Sequence, residues 1–397
     1  MKWQSVTFGD AFEIQLGKML DKQKNVGELR PYLGNRDVQW GKCNTSNLAE
    51  MRLSVSDRER FLLQPGDLLV CEGGEVGRTA IWNGERDDCY YQKAIHRLRP
   101  KCSIEPRFVL HYMRWAADRN LFAHLTSSTS IAHLTKEKLQ QAQIPLPHKN
   151  GKLDLAEQKR IAAILDKADA IRRKLQESLR LSDGFLRSVF LDMFGDPVTN
   201  PKEWETVELQ DAVKKGTIVT YGIVQAGTEF PGGVPYIRTG DIVNGVIRLN
   251  GLRRTDPSIA KKFERSKVRT GEIVMSIRAT VGTTAVVTAA LNGANLTQGT
   301  ARISPGEKTL LPFLLFYLRS EGVQGWIQKQ VKGATFAEIT LGRLRELPVL
   351  VPPIANQKRF AAAYEKLEKV KAAQQKQLLD SSDLFSSLQQ RAFRGEL

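Results

Sequence analysis

Two stretches of the chain decide its fold: PGDLLVCEGGEVGRTAIW at residues 65–82 and TGEIVMSIRATVGTTAVV at residues 270–287. They match at a Gly-acid pair, at the short apolar run that follows, at a Val-Gly step and at a second apolar run. Each stretch predicts a turn, a short buried strand, a projecting loop and a return strand, which together form a β-hairpin. The predicted loops are residues 72–75 and 277–280. The same hairpin is therefore expected twice.

The repeat extends outward from the two hairpins. The further matching pairs of segments are 3–11 with 204–212, 31–38 with 235–242, 127–147 with 332–352, and 156–161 with 355–360. All pairs keep the same order and lie about 200 residues apart. Blocks in a common order are not a chance match, so the chain is a duplication whose loops differ in length.

A change in composition marks a helical arm after each copy. Residues 154–193 and 355–394 are rich in Leu, Ala, Lys, Gln, Glu and Arg and contain no proline, which is the composition of long helices, and forty helical residues span roughly 60 Å. The first arm carries one apolar seam, made of Ile161, Ile164, Ala168, Ile171 and Leu175. A single narrow seam does not fold alone. The two arms are therefore expected to pair with each other, antiparallel, and two independent surface helices are the alternative.

These patterns predict an α+β protein with two duplicated globular domains joined by two long helices that form an antiparallel coiled coil. We name the predicted segments module 1 (residues 1–152), arm 1 (153–195), module 2 (196–353) and arm 2 (354–397). The Pro-containing ends of the two modules mark their boundaries with the arms.

The charge of the chain points to a polyanionic partner. Lys and Arg number 59 against 43 Asp and Glu, which gives a net charge of +16 and an isoelectric point near 9.7. Such a balance favours nucleic acid, although ribosomal and membrane-surface proteins share it. No apolar stretch reaches the ~18 residues of a transmembrane helix. Because residues 1–15 also lack the apolar core of a secretory signal, a cytoplasmic protein is expected.

Motifs of catalysis and metal binding are absent from the sequence. It has no GxxxxGK[ST] phosphate loop, no GxGxxG opening a helix, no [ND]PP[YF] tetrad, no HExxH and no GxSxG. Asp67, Asp87 and Asp88 with Lys93 loosely suggest a nuclease triad, but the second copy does not repeat it. The four cysteines, with His96 and His111 nearby, leave a metal site open, yet no CxxC pair occurs and reduced thiols are favoured. We expect no catalytic residue, no metal and no cofactor in this chain.

Polar and basic side chains in the predicted loops are the candidate DNA contacts. Arg, Gln and Lys suit contacts to base edges and phosphates, and Ser and Thr suit phosphate oxygens. Any one of them could instead be a solvated loop residue, but Gln92 with Gln298, and Thr129-Ser130 with Ala334-Thr335, are expected at matching places in the two copies. The predicted DNA-binding residues are Arg36, Arg78, Gln92, Lys93, Ser128, Thr129, Arg238, Arg278, Thr280, Gln298, Lys332 and Thr335.

The repeated blocks resemble the specificity subunit of type I restriction–modification systems. The matching features are the Pro-Tyr-(Leu/Ile)-x-x-x-Asp-(Val/Ile) segment, the Gly-(Asp/Glu)-(Leu/Ile)-(Leu/Val) strand before Val-Gly, the (Ser/Gly)-x-Thr…(Leu/Ile)-Thr-x-x-x-Leu segment, the Gln-Lys-Arg helix start and residues 185–196. The first copy departs from the pattern at residues 153–155, where Leu-Asp-Leu replaces the usual proline. The resemblance covers essentially the whole chain.

The resemblance implies a function and a set of partners. It implies that each module is a target-recognition domain, that the pair reads a bipartite, asymmetric site on double-stranded DNA, and that the arms fix the gap between the half-sites. It also implies docking of two methyltransferase subunits and of restriction/translocase subunits. S-adenosylmethionine, ATP and Mg²⁺ would belong to those partners. Two alternatives remain at this point: a helical scaffold that binds another protein, and a self-contained restriction or modification enzyme.

Overall fold

The two quoted stretches fold as the predicted hairpins. The structure is a computed structural model that describes residues 2–21, 23–122, 133–333 and 337–397. Module 1 contains, in chain order, β1 (Lys2–Thr7), α1 (Phe8–Ala11), β2 (Phe12–Leu16), β3 (Glu28–Leu33), β4 (Val38–Gln39), β5 (Lys42–Cys43), β6 (Ala49–Leu53), α2 (Val55–Phe61), β7 (Leu68–Cys71), β8 (Thr79–Ile81), β9 (Tyr90–Tyr91), β10 (Ile95–Pro100), α3 (Pro106–Asp118), α4 (Lys136–Gln141), β11 (Gln143–Lys149) and β12 (Lys152–Leu153). The long helix α5 (Leu155–Phe194) follows.

Module 2 repeats this order of elements, except that its helix at residues 321–330 and strand β12 of module 1 have no counterpart among the described residues. It contains β13 (Thr206–Glu208), α6 (Leu209–Ala212), β14 (Thr220–Tyr221), β15 (Val234–Ile237), β16 (Ile242–Val243), β17 (Val246–Ile247), β18 (Arg254–Thr255), α7 (Pro257–Lys262), β19 (Ile273–Ser276), β20 (Thr284–Val286), β21 (Asn295–Leu296), β22 (Thr300–Ile303), α8 (Leu311–Arg319), α9 (Glu321–Gln330), α10 (Leu341–Arg345) and β23 (Pro348–Leu350). The second long helix, α11 (Ile354–Arg394), comes next.

The hairpin strands lie in the principal sheet of each module. In module 1 the antiparallel order is β2-β10-β7-β8, and in module 2 it is β14-β22-β19-β20. All four residues of β7 and of β19 are buried, because each of these strands has a neighbour on both edges and packs against the core on both faces. This explains why the two strands are continuous apolar runs in the sequence and do not alternate.

The smaller sheets repeat as well. Strand β3 pairs antiparallel with β6 and parallel with β9, and β15 pairs in the same way with β18 and β21. The pairs β1–β11 and β13–β23 are also equivalent, as are the hairpins β4–β5 and β16–β17. The structure therefore confirms the duplication, pairing by pairing.

A buried glutamine joins the start of each long helix to its module. Oε1 of Gln158 accepts a hydrogen bond from the backbone N–H of Glu105, which precedes α3, at 3.0 Å. Oε1 of Gln357 likewise accepts from the backbone N–H of Leu310, which precedes α8, at 2.8 Å. In each case the amide satisfies a backbone donor at a helix start. This gives the repeated Gln-Lys-Arg segment a structural role at its first residue.

The two helix starts differ where the sequence departs from the family pattern. Before α5, Oδ1 of Asp154 accepts the backbone N–H of Glu157 at 3.0 Å, which is a side-chain cap. Before α11, Pro353 stands in the corresponding place. The first helix therefore begins with a hydrogen-bonding cap, and the second begins after a residue that cannot extend a helix toward its N-terminus.

The chain forms two compact units that cut across the long helices. Unit 1 comprises residues 2–176 and 376–397, and unit 2 comprises residues 177–375. Each unit thus holds one module, half of one arm and the opposite half of the other arm. The predicted division into modules and arms follows the sequence instead, and its boundaries remain a prediction.

Within each unit the two helix halves run antiparallel. In unit 1, Nη2 of Arg160 donates to the carbonyl of Leu397 at 2.7 Å, and the guanidinium of Arg172 lies 5.1 Å from the centre of the Phe385 ring. In unit 2 the pairs are Ser178 with Gln374, whose Nε2 donates to the hydroxyl at 2.8 Å, and Phe190 with Phe360, at a ring distance of 5.5 Å. Residue numbers rise along one helix as they fall along the other, which confirms the predicted antiparallel pairing.

The predicted seam of arm 1 is wrong at one position. Ile171 is 55 % exposed, whereas Leu165 and Asp169 are buried. Asp169 is tolerated inside because the guanidinium groups of Arg172 and Arg173 pair with its carboxylate, and a paired charge can be buried where an isolated one cannot. The apolar pattern alone did not contain this ion-pair cluster.

Among the residues that the structure describes, no helix is both long and apolar enough to cross a membrane.

Candidate nucleic-acid interface

Three loops of module 2 meet at one concave surface. They are the turn after β15, the loop of the β19–β20 hairpin and the loop between β21 and β22. Together with residues 223–226, which follow β14, they line a cavity of about 380 Å³. Its polar lining includes Arg238, Thr239, Arg278, Thr297 and Gln298. Three of the predicted residues, Arg238, Arg278 and Gln298, are thereby brought together from distant parts of the sequence.

Both arginines of this cavity are held by carboxylates. Arg238 donates from Nε to Oδ2 of Asp241 at 3.0 Å and from Nη2 to Oδ1 at 2.8 Å. This bidentate hydrogen bond raises the pKa of Arg238 above its usual value. Arg278 donates to Oε1 of Glu338 at 3.0 Å, and both of these side chains are 39 % exposed. The two guanidinium groups are fixed in place and still partly open to solvent, which is the preorganisation that bidentate recognition needs.

Two more predicted residues of module 2 lie near this cavity. Thr280 is exposed in the hairpin loop, with its hydroxyl 3.5 Å from that of Ser276. Lys332 is exposed, and its backbone exchanges two hydrogen bonds with that of Glu338, at 2.9 and 3.0 Å. Lys332 therefore flanks the Arg278–Glu338 ion pair. Thr335 lies outside the described residues.

The corresponding loops of module 1 are tied together by Arg78 and Asn35. Nδ2 of Asn35 donates to the carbonyl of Gly73 at 3.1 Å, and Nη2 of Arg78 donates to the carbonyl of Asn35 at 2.7 Å. The Arg78 side chain is only 13 % exposed. Its guanidinium therefore holds the turn after β3 against the hairpin loop, and this structural role stands beside the predicted contact with DNA.

The remaining candidates of module 1 are more accessible. The Arg36 side chain is 83 % exposed, and Lys93 is exposed as well. Gln92 is half-buried, and its amide lies beside Gly34, where an added methyl group would meet Nε2 at 3.4 Å. Ser128 and Thr129 lie outside the described residues. Arg36, Lys93 and Gln92 thus occupy the same two loops as their counterparts in module 2.

The predicted equivalence of Gln92 with Gln298 is wrong by one residue. Matching backbone hydrogen bonds set the register: Gln92 N to Leu33 O and Thr297 N to Ile237 O, then Lys93 N to Lys18 O and Gln298 N to Ile223 O. Gln92 therefore corresponds to Thr297, and Lys93 corresponds to Gln298. The sequence comparison had matched two identical letters, whereas the structure matches the backbone.

Thr239 and Thr297 line the cavity although neither is among the predicted residues. Thr239 corresponds to Asn35, and its hydroxyl donates to the carbonyl of Gly299 at 3.2 Å. Thr297 is half-buried beside it. The aligned Pro-Tyr segment would have pointed to Thr239 as a loop residue, since it lies two residues after the end of the matched strand residues.

Two of the three acidic residues that loosely suggested a nuclease, Asp67 and Asp88, have structural partners. Asp67 is 2 % exposed and accepts hydrogen bonds from the backbone of Gln64 at 2.8 Å and from Nε and Nη2 of Arg99 at 2.8 and 2.7 Å. Asp88 pairs with Arg30 at 2.8 Å. Over the described ranges, no group of three or more His, Cys, Asp or Glu side chains is placed to hold a metal ion.

Comparison with known proteins gives the family. The model of the type I restriction modification DNA specificity domain matches residues 1–181 and again residues 201–381. A similar protein is the type I restriction enzyme EcoBI specificity subunit of Escherichia coli, with 28 % identity over 92 % of this chain and 80 % of that protein. Another is the putative type I restriction enzyme MjaX specificity subunit of Methanocaldococcus jannaschii, with 24 % identity over 95 % and 90 %.

Solved structures share the fold. The crystal structure of the S subunit of the type I restriction–modification system from M. genitalium covers 99 % of this chain and 96 % of its own, with a TM-score of 0.57 and 14 % identity. A second structure comes from work on complex assembly and conformational transition of the type I R-M system. The match covers 100 % of this chain and 98 % of that one, with a TM-score of 0.58 and 18 % identity. The chain belongs to the type I restriction modification DNA specificity family, as a non-catalytic specificity subunit with two copies of the DNA-recognition domain.

Proposed function

We propose that this chain reads a bipartite, asymmetric site on double-stranded DNA, with one half-site for each module. One observation carries the proposal: the two modules place the same three loops together but fill them with different side chains. When the repeats are aligned by their equivalent backbone hydrogen bonds, Gly34 corresponds to Arg238, Gly73 to Arg278, and Lys93 to Gln298. Because the two modules share a fold but present different side chains to DNA, they should recognise two different sequences.

The chemistry of the module 2 cavity suits base edges in the major groove. A guanidinium can donate two hydrogen bonds to guanine, and a glutamine amide can pair with adenine. Module 1 presents the exposed cations Arg36 and Lys93 instead. The net charge of +16 supplies the attraction to phosphates that both modules share.

We further infer the partners. The chain assembles with two methyltransferase subunits and with restriction/translocase subunits, to which it supplies the DNA sequence. S-adenosylmethionine, ATP and Mg²⁺ are bound by those partners, and this chain contributes no cofactor. The complex works in the cytoplasm, where its DNA substrate lies. The paired helix halves act as the spacer between the half-sites.

Mapping methylated adenines tests the function. In cells with the gene we expect a two-part, non-palindromic motif with a fixed gap, and we expect the same motif to be unmethylated in cells without it. A palindromic or single-part motif would contradict the proposal. Methyl transfer by this chain alone would contradict the non-catalytic assignment.

Salt dependence gives an independent test on the assembled complex. The logarithm of DNA affinity should fall linearly with the logarithm of salt concentration, because phosphate contacts release counterions. Arg36→Ala should make this slope shallower. The control is Arg180→Ala, which removes another exposed arginine, from arm 1, where the side chain pairs with Glu177 at 2.6 Å.

A further inference from the structure

A short segment before α10 pairs with the loop of the β19–β20 hairpin. Ala279 N–H donates to the carbonyl of Ala337 at 2.9 Å. Ile339 N–H donates to the carbonyl of Ile277 at 3.0 Å. Ala279 has a φ of +59°, in the left-handed region that residues other than glycine rarely adopt. Such a backbone persists only where its surroundings fix it, and it commonly lies at binding sites. The two bonds therefore fix the loop on both sides of Arg278.

Glu338 lies opposite Arg278 in this pairing. Its own backbone is held on the other side as well, by two hydrogen bonds with the backbone of Lys332 at 2.9 and 3.0 Å. From this fixed place Oε1 of Glu338 accepts a hydrogen bond from Nη2 of Arg278 at 3.0 Å. Nε of Arg278 is buried and has no hydrogen-bond partner among the residues that the structure describes. The terminal nitrogens Nη1 and Nη2 are therefore the part of the guanidinium that remains for a ligand.

The arginine and the carboxylate are present together in module 2 and absent together from module 1. In module 1, Leu134 N–H donates to the carbonyl of Glu72 at 2.8 Å, which is the equivalent of the bond made by Ile339. In this register Gly73 and His133 stand where module 2 has the arginine and the glutamate. A carboxylate on a DNA-binding surface repels phosphates. Its presence beside the arginine, and only there, indicates that it acts on the arginine.

We propose that Glu338 is a positioning residue for DNA recognition: it holds the Arg278 guanidinium so that its terminal N–H groups meet the O6 and N7 atoms of a guanine in the half-site of module 2. The inference rests on the proposed function, because it takes module 2 as a reader of DNA. Guanine presents these two acceptors side by side in the major groove, which suits a guanidinium.

The physical effect of Glu338 is to order the arginine before DNA binds. A free arginine side chain samples many rotamers, and ordering it on binding costs free energy. A guanidinium that is already held by a carboxylate loses less, and its planar fork stays aligned with the base edge. The same carboxylate weakens the attraction to phosphates of every sequence. Glu338 should therefore raise the preference for one base pair more than it raises the overall affinity.

Two substitutions of Glu338 separate positioning from charge. Glu338→Ala removes both the charge and the acceptor, whereas Glu338→Gln removes the charge and keeps an acceptor oxygen. The matched control is Glu346→Ala, which removes the carboxylate of another exposed ion pair of module 2, with Arg343 at 2.8 Å. Each full-length variant is assembled with the partner subunits. Its affinity is measured for the methylated motif and for duplexes with one base pair changed, together with its midpoint of thermal unfolding, and the ratio of affinities gives the discrimination.

We expect Glu338→Ala to lower the discrimination at one G·C pair of the module 2 half-site about tenfold, because it releases the guanidinium. Glu338→Gln should lower it about threefold, since the amide oxygen still accepts from Nη2. Glu346→Ala should discriminate as the wild type does, and all three midpoints should stay near that of the wild type. Added to Arg278→Ala, Glu338→Ala should cause no further loss, because the glutamate acts only through the arginine.

Wild-type discrimination in Glu338→Ala overturns the proposal, even if its affinity for all duplexes rises. Equal losses in Glu338→Ala and Glu338→Gln also overturn it, because Glu338 would then act through its charge alone. A wild-type complex that reads no two-part motif overturns the proposed function instead, so the two failures are distinguishable.

A modified base tests the same contact from the DNA side. Replacing the guanine by 7-deazaguanine removes the N7 acceptor and leaves base pairing intact. The wild-type complex should lose about tenfold in affinity, the effect of one charge-assisted hydrogen bond. The complexes with Glu338→Ala and with Arg278→Ala should lose much less. A loss that is as large in Glu338→Ala as in the wild type, or no loss in the wild type at any guanine of this half-site, contradicts the proposal.

Discussion

Gln357 in unit 2 makes three hydrogen bonds, whereas its counterpart Gln158 in unit 1 makes one. Besides accepting from Leu310, Gln357 donates from Nε2 to the carbonyls of Lys308 and Pro352 at 2.8 and 2.9 Å. Nε2 of Gln158 has no hydrogen-bond partner in the part of the chain that the structure describes. Both side chains are fully buried. The same residue at the same place in a repeat can thus make different numbers of hydrogen bonds. Gln357 therefore connects module 2 to its helix more firmly than Gln158 connects module 1.

Replacing each glutamine by alanine should produce the largest difference in stability between the two units. Gln357→Ala should lower the free energy of unfolding by about 3 kcal/mol, because it removes all three hydrogen bonds of a fully buried amide. Gln158→Ala should cost about 1.5 kcal/mol, since only one partner is lost. Urea unfolding of each full-length variant measures both values. Equal losses would show that the count of hydrogen bonds does not decide the difference.

The DNA-reading surfaces should differ in which half-site they control. Arg278→Ala should weaken DNA binding by about 2 kcal/mol and relax the sequence preference only at the half-site of module 2, because a base-contacting arginine discriminates by this amount. Competition binding of the assembled complex to single-base variants of the methylated motif measures this. The matched variant Arg36→Ala should spare that half-site. An affinity loss that is uniform over all sequences would make Arg278 a phosphate contact.

A polar residue in the core of unit 1 should limit the stability of its helix pairing. Gln389 is 2 % exposed, and its Nε2 has no hydrogen-bond partner among the described residues. The corresponding residue of unit 2 is Phe190, which packs against Phe313 at 5.7 Å. Gln389→Leu should raise the free energy of unfolding by about 1 kcal/mol, because it removes a buried amide nitrogen that has no partner among the described residues. Gln377→Leu, on an exposed face of the same helix half, is the control, and a loss of stability in Gln389→Leu would refute the prediction.

A smaller difference between the modules should depend on pH. His96 in β10 is fully buried, and Nε2 lies 2.9 Å from the carbonyl of Leu134. Burial lowers the pKa of His96 below its usual value of 6.5, although the hydrogen bond to Leu134 and the charges of Glu72 and Glu137 oppose the shift. The unfolded chain therefore binds the proton first, and stability should fall as the pH drops below about 6.5. Module 2 has Ala301 at this place.

Urea unfolding at several pH values tests the role of His96. The loss of stability between pH 7 and pH 5 should be smaller in His96→Ala than in the wild type, whatever the absolute stability of the variant. His148→Ala, which removes another buried histidine of module 1, serves as the comparison. An unchanged pH slope in His96→Ala would exclude His96 as the source.

The buried strands and the long helices were predictable from the sequence because each produces a local pattern of residues. The buried strands β7 and β19 appear as apolar runs after a Gly-acid pair, and the arms appear as proline-free, helix-forming segments. The duplication supports each assignment, because the same pattern occurs in both copies and in the same order. The antiparallel pairing followed from the narrow seams, which need a partner.

The candidate site was predictable only as a set of loops. Whether Arg78 faces solvent or the carbonyl of Asn35 depends on tertiary contacts between segments 43 residues apart, which leave no local pattern. The one-residue error at Gln92 has a similar origin, because a loop that joins short strands carries no periodicity to fix its register. The cluster of Asp169 with two arginines escaped notice because its residues resemble an ordinary solvated helix face.

The division of the chain into units has a consequence for biosynthesis. Unit 2 is one continuous segment that is complete once residue 375 has been made, whereas unit 1 needs residues 376–397 to cover its core, where Phe393 packs on Phe108 at 5.4 Å. On the ribosome, module 1 emerges first but finishes last, and its final closure spans a loop of about 200 residues, which is a slow and entropically costly step. Until then its half of α5 exposes an apolar face to chaperones and proteases, so the order of synthesis is the reverse of the order of maturation.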